Sequence, residues 1–74
     1  MTVNASKVRS VVAKQLDMRP QDVDLEMNLR DDLEATDADL LKVAMVLEDM
    51  FDMDIPNHVA VRFETTQDII DHVA

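Results

Sequence analysis

The chain has 74 residues, enough for one small domain that buries about 60% of the surface its unfolded form exposes. Apolar residues make up 47% and charged residues 31%, the balance of a folded globular domain rather than a disordered tail. With no Cys there is neither a disulfide framework nor a thiolate metal site, and the net charge of −9 disfavours nucleic acid and anionic lipid as partners.

That charge is uneven. Residues 1–30 hold five basic and four acidic side chains, whereas residues 31–74 hold twelve acidic side chains against Lys42 and Arg62. Basic patches on other proteins suit such a surface. The first residues contain no apolar signal core, and the longest apolar run, Val43 to Leu47, falls far short of the roughly 20 residues needed to span a bilayer. A cytoplasmic monomer without membrane insertion is the expectation.

Val8, Val11, Val12 and Leu16 recur at helical spacing, with Val3 and Ala5 ahead of them, and predict a first helix from about residue 3 to 16. Residues 17–36, with Pro20 and many Asp, predict a long connection that Val23, Leu25, Leu29 and Leu33 pin to the core. Thr36 and Asp39 have the spacing of a capping box, so a second helix starts near Thr36 or Asp37. Its apolar stripe is Leu40, Val43 or Ala44, Leu47, and Met50 or Phe51. Pro56 bars continuation, and Asn57 is a candidate cap for a short helix over about 58–62. Thr65 or Thr66 caps a last helix in which Ile69, Ile70 and Val73 face inward. The fold class is all-α, a single four-helix bundle over residues 1–74 with a long first loop and a short third helix. No Gly is present, and Asp17 and Asp52 stand where helices must end, in a left-handed conformation that Asp tolerates.

Chemical signals are weak. The only serines, Ser6 and Ser10, lie in the first helix, and His58 and His72 belong to the last two, so no base stands beside a nucleophile. An EF-hand loop begun at Asp22 would put Met27 where Gly is needed and Leu33 where a bidentate acid is needed. Neither catalysis nor a metal site is expected.

The ordered set Asp32-Leu33, the helix from position 37 to Glu48-Asp49-Met50-Phe51, then Ile55-Pro56 and Thr65 to Asp71, resembles the acyl carrier protein family over nearly the whole chain. The resemblance implies docking through the second helix onto basic patches of acyl-carrier-dependent enzymes, with Asp39, Met45, Glu48 and Asp49 at the matching positions. It also implies a 4'-phosphopantetheine arm on a serine at position 37. That residue is Asp37, which has no hydroxyl to esterify, so no cofactor is expected. Ala38 replaces the usual large apolar residue, Lys42 stands in place of an acid, and the third helix reads His58-Val59-Ala60-Val61-Arg62 rather than acidic. Asp37 either shares the helix cap with Thr36 or stands in for the charge of a modified serine.

The expected function is a non-covalent partner or regulator in fatty-acid or polyketide-type metabolism. The alternatives are a working carrier modified at an atypical site, for which Thr36 is the only nearby hydroxyl, and an adaptor unrelated to acyl transfer.

Overall fold

A computed structural model describes residues 3–74, with the side chain of Val3 outside the described set. Four helices follow one another: α1 (Val3–Gln15), α2 (Asp37–Phe51), α3 (Asn57–Ala60) and α4 (Thr66–Val73). A single 3-10 turn, Pro20–Asp22, interrupts the long first connection. The all-α four-helix expectation holds, including the long loop and the short third helix.

Helix α1 packs on both α2 and α4, and α3 leans on α2. The core is the sum of their apolar stripes: Val8 and Val12 from α1, Leu40, Val43, Ala44 and Leu47 from α2, and Ile69 and Ile70 from α4. Leu47 and Ile69 are fully buried. Burying a Leu or Ile side chain contributes about 1.5–3 kcal/mol each, which is what holds so small a bundle together. Of the two residues left open at the end of the α2 stripe, Phe51 packs against the core and Met50 is exposed.

The long connection is anchored by side chains and backbone together. Val23 and Leu29 are fully buried, and Leu25 and Leu33 pack partly against the core. The Leu29 N–H donates to the Glu64 carbonyl at 2.7 Å, and the Gln67 N–H donates to that of Leu25 at 3.1 Å. A loop of this length is thereby fixed to the start of α4.

The chain has no glycine, and among the described residues three others take positive φ: Asp17 (57°), Glu34 (60°) and Asp52 (51°). Asp17 and Asp52 sit at the ends of α1 and α2 as their positions suggest. Glu34 has no counterpart in the sequence reading. The expectation of Asn57 as a cap is corrected: Pro56 occupies the cap position, Asn57 is the first helical residue, and no side chain caps α3. The Pro56 ring fixes φ near −58°, and its carbonyl receives the Val59 and Ala60 N–H groups, so the turn closes without a side chain.

Candidate functional site: the apex and outer face of the second helix

The site is built around the start of α2. Thr36 is extended (φ −96°, ψ 170°), and its Oγ1 accepts the Asp39 N–H at 3.2 Å. Asp39 Oδ2 accepts the Thr36 N–H at 3.0 Å, completing the box that the sequence spacing predicts. Two N–H groups that an isolated helix start leaves unpaired are thus satisfied.

Asp39 is tied further. Its Oδ1 accepts from Gln15 Nε2 of α1 at 3.1 Å, joining the two helices. Its carboxyl is held below the ordinary Asp range, first by the backbone N–H of Thr36 and then by the Gln15 amide. Partial burial opposes this; the Thr36 hydroxyl and the attraction of Lys42 reinforce it.

Asp37 is the first residue of α2, where the positive end of the helix dipole favours an anion. Its side chain is 69% exposed. It takes no part in the cap, which Thr36 and Asp39 form together; its carboxylate instead forms an ion pair with Arg30. The same Arg30 Nη2 donates to the Val61 carbonyl at 2.7 Å, just beyond α3. Arg30 was not singled out from sequence, because no periodicity links a loop cation to a residue seven positions on.

Along the face of α2 turned away from the core, Ala38, Lys42, Met45 and Asp49 are all exposed at four-, three- and four-residue intervals, with Met45 at 65%. Glu48 is half-buried at the edge of that face, where its Oε2 accepts the Ile55 N–H at 3.0 Å and orders the turn into α3. Of the four candidate docking residues, Met45 and Asp49 stand free toward solvent, while Asp39 and Glu48 each serve the fold as well. A carboxylate has about four acceptor sites, so both retain capacity for an incoming cation. No group of three His, Asp or Glu among the described residues is arranged to hold a metal ion.

The sequence that folds into this bundle is similar to known proteins over most of its length. The family model described as "Phosphopantetheine attachment site" matches residues 6–73. A protein named acyl carrier protein from Borrelia garinii subsp. bavariensis is 34% identical over 68 residues, covering 92% of this chain and 85% of that protein. One of the same name from Campylobacter concisus is 36% identical over 66 residues, covering 89% and 86%. The chain belongs to the acyl carrier protein family.

Proposed function

We propose that this chain is a carrier-like docking domain that bears no phosphopantetheine and acts as a non-covalent partner or regulator of acyl-carrier-dependent enzymes. The observation that carries this reading is the chemistry of the apex. The residue presented at the first turn of α2 is a carboxylate, paired with Arg30, and it offers no alcohol for a phosphodiester. The neighbouring hydroxyl, Thr36, faces back into its own helix as the cap. The serines Ser6 and Ser10 lie on α1, away from the apex. The residues here therefore do not fit covalent attachment of the arm.

The outer face of α2 supports the docking half of the reading. Met45 gives an apolar contact with Asp49 one turn away, flanked by Glu48, and opposite charges across such a contact set orientation and encounter rate. Neither the apex nor this face holds a nucleophile beside a base, which favours a binding role over catalysis and a setting among basic partner enzymes.

The test is intact mass after incubation with a promiscuous phosphopantetheinyl transferase and coenzyme A. An unchanged mass, together with saturable binding to a carrier-dependent condensing enzyme that Met45→Glu weakens, is the expected result. A mass gain would show a working carrier and overturn the proposal.

A further inference from the structure

Sixteen acidic residues dominate this chain, yet one groove is lined by none of them. It runs between α1 and α2 over Val11, Val43, Val46 and Met50, with Ser10, Lys7 and Lys14 on the α1 side. Val46 is 46% and Met50 43% exposed, and neither belongs to the Met45 face. Two of the chain's three lysines, Lys7 and Lys14, thus line this groove, while Lys42 stands on the outer face of α2 with Met45. Asp39, at its far end, is held by Thr36 and Gln15.

We infer that the α1–α2 groove is a second docking surface, opposite in charge preference to the outer face of α2, and that it accepts an amphipathic helix with acidic flanks from a partner protein. Charge complementarity fixes the sign of the occupant, and spacing fixes its shape. Lys7 and Lys14 are two helical turns apart, roughly 10 Å along α1, which matches carboxylates placed two turns apart on a partner helix. Val46 and Met50, one turn apart, match the recurring apolar anchors of helix-in-groove recognition. The net charge of −9 opposes an acidic partner at long range, but that field is screened within about 8 Å at physiological salt, leaving the lysines to set the local potential. The inference is independent of whether Asp37 carries an arm.

The experiment uses the full isotope-labelled chain and two synthetic amphipathic helices with Leu anchors, one flanked by Glu and its twin flanked by Lys. The Glu helix is expected to shift the amides of Ser10, Val11, Val46 and Met50, and to bind at least roughly tenfold more tightly than the Lys helix, with the gap closing as salt rises. The double variant Lys7→Glu/Lys14→Glu should lose that preference, and Lys7→Arg/Lys14→Arg should retain it. Equal binding of both helices, or shifts centred on Met45 and Asp49, overturns the inference. So does movement of the groove amides with protein concentration alone, which would place a second copy of this chain there. Should the Glu variant fail to fold, the Lys helix, the Arg variant and the salt series still decide the matter.

Discussion

Arg30 meets Asp37 across the apex of the bundle and, through the same nitrogen, reaches the Val61 carbonyl at the end of α3. One guanidinium thus connects the first connection, the start of α2 and the third helix. The pair is largely exposed, so its electrostatic worth is small, at most about 1 kcal/mol. Its effect is geometric: α3 has only four residues and no side-chain cap, and Arg30 holds its end.

Replacing Arg30 by Met should therefore lower global stability by less than about 1 kcal/mol while loosening α3. Urea unfolding would give the first quantity. Hydrogen exchange would give the second, as faster exchange at residues 59–62 with little change in α1. If exchange there stays at the wild-type rate, Arg30 is not a strut.

Asp37→Ser restores a hydroxyl at the first residue of α2 without disturbing the cap, because Thr36 and Asp39 bond independently of position 37. Treated with phosphopantetheinyl transferase and coenzyme A, this variant is expected to gain the mass of the arm where wild type does not. Failure to gain it would show that Ala38 and Lys42, both exposed on the same face, have removed the features the transferase reads.

What was legible in the sequence was whatever periodicity and short-range spacing encode. The stripe from Leu40 to Leu47 and the pair Thr36–Asp39 state their partners within one or two turns, so α2 and its cap could be written down directly. Asp17 and Asp52 were legible because a helix must end somewhere and no Gly was on offer. The Arg30 bridge and the Gln15–Asp39 bond were not, since each joins residues whose proximity exists only after the loop has packed. The outer face of α2 was legible in part: the family resemblance marks Asp39, Met45, Glu48 and Asp49 as docking positions, but no sequence pattern shows that Glu48 turns back to Ile55.

Glu34 escaped notice for a different reason. It lies in a loop between Leu33 and Ala35, both of which pack inward, and its φ is 60°. A side chain in the left-handed region costs roughly 1–2 kcal/mol, and Gly removes that cost while adding freedom to the unfolded chain. Glu34→Gly should stabilise the domain by about 0.5–1 kcal/mol, measured as a higher urea midpoint at unchanged slope. A lower midpoint would mean that the Glu34 side chain contributes more than its backbone strain costs.

The last prediction concerns acid. Asp39 is held below the ordinary carboxylate range, chiefly because its ionised form accepts the Thr36 N–H and the Gln15 amide. A carboxyl with a lower pKa folded than unfolded stabilises the fold when ionised. That contribution is complete above the unfolded value, about 3.9 for Asp, and is lost as pH falls through the lower folded value. Wild type should therefore lose stability below about pH 4 more steeply than Asp39→Asn, in which the group no longer titrates. Asn can still accept one N–H at the cap, so the variant should remain folded at pH 7 at a cost of about 1 kcal/mol or less. Gln15→Ala should fall between the two, because it removes the second cause of the lowering and leaves the first. Urea unfolding of the three proteins across this acid range checks the order. Parallel curves for wild type and Asp39→Asn would show that other carboxylates govern the acid limb and that the link between α1 and the start of α2 is not a titrating one.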